Sequence, residues 1–334
     1  MEQKRILVVG AGFAGAVVAR ELADAGHLVD VIDKRDHIAG NAYDYTNEYG
    51  ITIHKYGPHL FHTNNEEVFK WLSRFTEWVS YKHRIKAQLE DGRYVPFPVN
   101  LNTMISVRKE QVYDIFFKPY SQKMWGKHFK ELDQDVLDRV KVRDTIEDDC
   151  FTDKYQCMPK HGYKNMFNLM LNSPNIKLRL RTEFNKEIEK DYDHVFNSMA
   201  IDDYYDCCFG KLPYRSINFE HVTLPLNKVL PSTTVNFTHD APYTRVTEWK
   251  QIPQHGSNKI YTTLTFEIPC ENDKEKYYPV PTESNRELYK KYRDIKNDKV
   301  TFIGRCGMYV YMDMHMVVSS SLSIVNNFLR EKKW

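Results

Sequence analysis

Several groups of residues in this 334-residue chain have types and spacings suited to chemistry. The first is GAGFAG at residues 10–15, with Asp33 beyond it. Gly10 permits a tight turn, Gly12 lets the backbone approach a pyrophosphate, and Gly15 lets a helix pack closely on a strand, while the helix N-terminus offers free N–H groups to phosphates. Asp33, 18 residues after Gly15, is placed to accept hydrogen bonds from an adenosine ribose. The second group is KYGPHLFHTN, residues 55–64, where His59 and His62 stand three apart with no acidic residue beside them. Metal ligation, acid/base work and packing are all open to such a pair, although a metal would need a third ligand that the segment lacks. Six cysteines (Cys150, Cys157, Cys207, Cys208, Cys270, Cys306) show no CxxC spacing and one vicinal pair. That argues against a zinc site and a disulfide framework, and no metal is expected.

The glycine loop works only between a strand and a helix, and its flanks supply both. KRILVVG is a short apolar run, AVVARELADAG has helical spacing, and HLVDVID is a second run ending in Asp33, so the opening reads β-α-β. The loop KRDHIAGNAYD leans toward FAD over NAD. Near the end VTFIG reads as a buried strand, RCGMYVYMD as a loop and MHMVVSSSLSIVNNFL as a helix that starts after Asp313 as N-cap. A late helix returning to the first domain aims its positive N-terminus at a ring system and favours an anionic reduced flavin. Between these ends, NNEEVFKWLSRFTEWV has helical periodicity and YKHRIKAQLEDGRYVPFPVN reads as a hairpin turning at Asp91-Gly92. Residues 108–148 read as mainly helical, 176–198 as strands returning to the first domain, and 212–285 as short runs of an antiparallel sheet.

A chain of this length exceeds one usual hydrophobic core, so two domains or more are expected. With 42% hydrophobic and 28% charged residues, and 47 basic against 45 acidic, nothing calls for nucleic acid or an anionic membrane. The start MEQKRILVVGAG is too short in apolar residues for a signal peptide and no stretch reaches membrane-span length, so the cytoplasm is expected.

GAGFAGAVVA, GNAYD, IHKYGPHLFHT, KMWGK, RVKVR, YQCMPKHGY, FGKLPYRS, APYTRVTE, YYPVP and GRCGMYVYMDMH follow one another in the order and approximate spacing of UDP-galactopyranose mutase. The chain resembles that family over nearly its whole length. The resemblance implies an α/β fold: a Rossmann-like FAD-binding domain from residues 1–66, 176–211 and 295–334, a helical domain with a mobile substrate loop from 67–80 and 101–175, and an antiparallel sheet domain from 81–100 and 212–294. It implies interconversion of UDP-galactopyranose and UDP-galactofuranose through a covalent N5 adduct of reduced FAD, without net redox. It also implies a UDP-sugar substrate and an external reductant such as NAD(P)H.

Roles follow from the same resemblance. Arg139 and Arg245 match the two arginines that clamp the diphosphate, a task suited to the planar guanidinium; Arg143 lies four residues beyond Arg139. Phe116, Tyr120, Ser121 and Trp125 match the uridine pocket, Asn236 a substrate contact, and Tyr277, Tyr311 and Arg305 residues near the diphosphate and flavin. Gly10, Gly12, Phe13, Gly15, Asp33, Lys34, Gly40, Asn41, His59, Leu60 and His62 match the cofactor site, with Arg305, Met312, Asp313 and Met314 from the end of the chain. The two histidines thereby turn toward the isoalloxazine, with His62 a proton-shuttle candidate. Arg139, Arg245, His62 and Arg305 form the implied catalytic set.

Departures accompany the match. Cys150 stands where the family has Tyr, Ala39 where it has the first glycine of Gly-Gly-Asn, Asn197 to Ala200 replace Thr-Gly-Pro, and Val310 replaces a basic residue. The stretch between VNLNTM and FFKPYSQKMWG is shorter by some tens of residues than in bacterial members, which leads us to expect a monomer or an atypical dimer. Other readings are a mutase for another nucleotide sugar such as UDP-N-acetylgalactosamine, a flavin oxidoreductase of the amine-oxidase type, and a non-catalytic FAD-binding protein.

Overall fold

The computed structural model describes residues 2–126, 142–271 and 275–331. Its first layer is a parallel sheet in the order β10-β2-β1-β11-β17, formed by β1 (Arg5–Val9), β2 (Leu28–Ile32), β10 (Ile176–Arg179), β11 (His194–Asn197) and β17 (Val300–Phe302). β1 and β2 are buried after their first residue, as strands covered on both faces must be. From β1 the chain passes through α1 (Phe13–Asp24) to β2 on one side, and reaches the other side only at β11. The C-terminal end of β1 is therefore a topological switch point, where open α/β sheets bind ligands.

One apolar core joins this sheet to α1, to α2 (Glu66–Leu72), to α4 (Gly162–Leu171) and to the last helix, α7 (Met314–Glu331). Beside it stand the hairpin β3 (Asp44–Thr46) with β4 (Thr52–His54), and a three-stranded sheet in which β9 (Tyr155–Pro159) lies between β5 (Phe61–Thr63) and β6 (Trp78–Ser80). A seven-stranded sheet in the order β16-β12-β15-β14-β13-β7-β8 makes the second layer. Its strands are β7 (Ile85–Gln88), β8 (Tyr94–Phe97), β12 (Tyr214–Leu224), β13 (Thr234–Phe237), β14 (Arg245–Glu248), β15 (Thr262–Cys270) and β16 (Tyr278–Pro279). α3 (Lys118–Trp125), entered through a π-helical turn at Tyr113–Phe117, packs Met124 and Trp125 on Ile217 of β12 and stops at Gly126, whose φ of +62° ends the helix. Among the described residues no helix is long and apolar enough to cross a membrane.

The structure corrects several readings. The helix begun at residue 66, capped by Asn65, ends at Leu72, and Trp78–Ser80 is a strand. Residues 142–148 are not helical; they lie along 99–101, with the Arg143 N–H on the Val99 carbonyl. The expected loop after β17 begins with a short helix, α6 (Gly304–Gly307), and α5 (Glu283–Arg293) closes the sheet segment. Val68, Leu72, Phe75 and most of the apolar face of α4 are buried in the same core as α1. The second sheet also has one parallel pair, β7 with β13, because two hairpins distant in sequence meet edge to edge.

Candidate active site

At the end of β1 the glycines act through close backbone approach. Gly10 has φ +99°, a Cβ on Gly15 would lie 1.8 Å from the Gly10 carbonyl oxygen, and one on Gly40 would lie 2.9 Å from Cα of Gly12. The glycine turn and the 39–42 turn thus touch backbone to backbone, and Ala39 takes the left-handed conformation (φ +70°) that a glycine would take without strain. No side chain caps α1 and no acid lies in its first turn, so its leading N–H groups face outward for an anion. Asp33 accepts from the N–H groups of Ala11 (2.8 Å) and Arg35 (2.9 Å), which fixes its carboxylate beside the turn. Asn41 accepts from Arg35 at 2.9 Å, while Lys34 is exposed. Phe13 turns its ring into the core, 4.7 Å from Phe167, leaving only its backbone at the helix end.

The second layer carries a polar row. Pairing sets Asn236 of β13 opposite Arg245 of β14, and Arg245 opposite Glu267 of β15, so the three share one face. Arg245 donates to the Tyr120 hydroxyl at 2.9 Å and lies 3.7 Å from Glu267. Asn236 Oδ1, Arg245 Nε and Glu267 Oε1 are buried, and among the described residues none has a hydrogen-bond partner. Such groups are costly to leave unmade, so the row has polar capacity that the described residues do not fill. Burial opposes the charge of Arg245, but Tyr120, Glu267 and Tyr278 outweigh it and push the guanidinium up; burial pushes the Glu267 carboxyl up as well.

Arg305, on α6, donates to the carbonyls of Tyr277 (3.2 Å) and Met312 (2.6 Å) and lies over the rings of Tyr278 and Tyr311, which stack on each other. The Met312 side chain is buried; Asp313 and Met314 open α7, and Met314 and Leu60 pack against the first core. His59 donates from Nδ1 to the Gly57 carbonyl, while its N–H binds Nδ1 of His54; burial, with Arg305 nearby, pushes its ring down to about 4. His62 binds Asp153 at 2.9 Å.

Cys150 donates its N–H to the His83 carbonyl, and its own carbonyl accepts from Arg143. Burial pushes the thiol up to about 11, with Arg245 and Arg143 pulling the other way, so it lies within the field of the arginine row. Its neighbour His83 is pushed by burial down to about 3, with Arg245 adding to the effect.

A hydrogen bond links Tyr120 to Arg245, strand pairing sets Asn236 beside Arg245, and Arg305 lies over the Tyr311 ring, while Trp125 is buried against Ile217 and Ser121 is half-buried on α3. Arg139 lies outside the described residues. Phe116 is 2% exposed, inside the apolar cluster under the β7–β8 hairpin, so its ring packs in a core. Of the tyrosine pair, Tyr278 shares the field of Arg305, Glu267 and Arg245, while Tyr277 turns toward Tyr56 and Phe219, because neighbours in an extended segment face opposite ways. Glu267, His83, Asp153 and Arg35 were missed. The first two read as ordinary strand and turn residues, and Asp153 is 91 positions from His62.

Comparison with known proteins agrees with this geometry. Residues 115–311 match the family model for UDP-galactopyranose mutase, and residues 8–75 that for an NAD(P)-binding Rossmann-like domain. The chain is 33% identical to the probable UDP-galactopyranose mutase of Klebsiella pneumoniae, over 98% of this chain and 96% of that one, and 32% identical to the dTDP-fucopyranose mutase of Escherichia coli, over 98% and 99%. The first alignment runs over 369 positions, so the relative carries residues that this chain lacks. The fold matches a crystal structure of reduced UDP-galactopyranose mutase with a TM-score of 0.79 at 15% identity, covering 99% of this chain and 97% of that one. FAD is the cofactor, and the uncapped α1, the fixed Asp33 and the backbone contact of Gly12 with Gly40 fit a dinucleotide of that kind. The chain belongs to the UDP-galactopyranose mutase family.

Proposed function

We propose that the protein interconverts UDP-galactopyranose and UDP-galactofuranose, and that Arg245 with the groups beside it binds the nucleotide sugar. The observation that carries this reading is the row Asn236, Arg245 and Glu267, with three buried polar atoms left unpaired on the face toward Tyr120. Reduced FAD, when bound, supplies a nucleophilic nitrogen for the exchange without net oxidation. Arg245 is the fixed cation for the diphosphate, and Arg139 is its proposed partner. Tyr120 and Trp125 wall the uridine side, and Tyr278 and Tyr311 hold Arg305 between the diphosphate and the cofactor. An external reductant such as NAD(P)H loads the flavin, which suits the cytoplasm, and the chain acts as a monomer or a dimer formed without the missing helical segment.

A second reading is the same exchange on another nucleotide sugar. The match to a dTDP-fucopyranose mutase is as full as that to a UDP-galactopyranose mutase, and Cys150 stands where a tyrosine is expected. The test is anaerobic incubation of dithionite-reduced protein with UDP-galactofuranose, and separately with dTDP-fucofuranose, followed by anion-exchange separation. UDP-galactopyranose formed only with reduced flavin supports the first reading; turnover of the dTDP sugar alone supports the second. No turnover of either by FAD-loaded, UDP-binding protein contradicts both.

A further inference from the structure

The fold gives His62 an acid that its neighbours in sequence do not. β5 and β9 pair with His62 opposite Gln156. The turn before β9 is fastened by the Gln156 amide, which donates to the carbonyls of Phe151 (3.2 Å) and Asp153 (3.0 Å), and by Asn64, which accepts from the Lys154 N–H at 2.8 Å. That turn lays Phe151 flat on the imidazole, with centroids 3.7 Å apart at 12°, and sets Asp153 Oδ2 2.9 Å from Nδ1. From the other side His315, in the first turn of α7, meets the ring edge-on at 5.3 Å, and its Nδ1 is buried with no hydrogen bond among the described residues. Phe151 and Asp153 also line a polar cavity of about 320 Å³ that includes Lys82, Arg143 and Lys154.

We propose that Asp153 is the positioning residue of His62, the proton-shuttle candidate of the mutase reading, and that it holds the imidazole with its lone pair on Nε2. The proposal rests on the mutase reading, because the hydroxyl that closes the new ring loses a proton and the ring oxygen it replaces gains one. An ionised carboxylate only accepts, so the neutral His62 ring carries its hydrogen on Nδ1 and keeps its lone pair on Nε2. A proton taken up at Nε2 makes an imidazolium whose charge faces Asp153, and its return restores the neutral ring with no net change. The stacked Phe151 and the fastened turn hold the pair in register, as an orienting acid behind a histidine requires.

The test uses FAD-loaded protein, wild type and Asp153→Ala and Asp153→Asn variants, whose flavin spectrum and UDP affinity report intact folding. Nitrogen-15 spectra of labelled histidine should show His62 as the Nδ1–H tautomer in wild type and as the Nε2–H form in Asp153→Ala. With pre-reduced protein, kcat should fall about a hundredfold in Asp153→Ala while KM for the sugar nucleotide stays nearly constant. An Nε2–H tautomer in wild type, or variants with undiminished kcat, overturns the proposal and leaves the mutase reading standing. A wild-type protein with the Nδ1–H tautomer and no exchange on any sugar nucleotide overturns that reading and the proposal with it.

Discussion

The hydroxyl of Tyr120 lies 2.9 Å from Nη2 of Arg245, so the helix that follows the shortened segment and a middle strand of the second sheet meet at one charged hydrogen bond. Charge-assisted bonds of this kind contribute about 1.5–3 kcal/mol. Arg245→Ala should therefore weaken UDP binding roughly tenfold to a hundredfold or more in a calorimetric titration. A variant with full mutase activity contradicts the assignment of Arg245 to the diphosphate.

A second cation ties the same two elements together. The Lys123 ammonium is held by the carbonyls of Phe237 (2.8 Å) and His239 (2.9 Å), on the hairpin between Asn236 and Arg245, and burial pushes the amine down. Lys123→Met should raise KM for the nucleotide sugar about fivefold to tenfold through a loosened α3, with kcat within about twofold. An unchanged KM in steady-state assays would show that α3 is held without this lysine.

Cys150 sits within the field of Arg245 with a neutral thiol. Cys150→Tyr should restore a hydroxyl near the diphosphate and tighten UDP binding by about fivefold, one hydrogen bond of about 1 kcal/mol. No change in titrated affinity counts against the match at this position.

Acid should unfold the protein through its buried histidines. His83 is pushed down to about 3 and His255 to about 4 by burial, against an unfolded value near 6.5, and His54, bonded to His255 at 2.9 Å, also lies well below its usual range. Between these values the unfolded chain binds more protons than the folded one, so stability rises with pH there. It is complete above about pH 6.5 and falls by about 1.4 kcal/mol per pH unit per ring as the pH drops toward 4. Urea midpoints at pH 7.5 and pH 5 measure it, and equal midpoints would exclude the mechanism.

What was legible in the sequence was local. The β1–α1–β2 unit, the Asp91-Gly92 hairpin and the runs of the second sheet follow from apolar periodicity and turn residues, signals carried within about ten residues. Gly10, Gly12 and Gly15 were readable because their need is steric and local, and Asn236 and Arg245 only through the resemblance. Asp153, Glu267 and His83 were not readable, since each gains its meaning from a strand pairing or a packed ring far away in sequence. Which of Tyr277 and Tyr278 turns toward Arg305 depends on how β16 meets β12, which a dipeptide does not reveal.

The parallel pairing of β7 with β13 joins residues 85–88 to 234–237, and β17 completes the first sheet only at residues 300–302. A ribosome making this chain thus releases β1, α1 and β2 long before their last partners exist. Pairings of such sequence separation form slowly, and their edges stay exposed meanwhile. The emerging chain is therefore a natural client for chaperones that shield apolar edges, and truncation before α7 should leave material that aggregates.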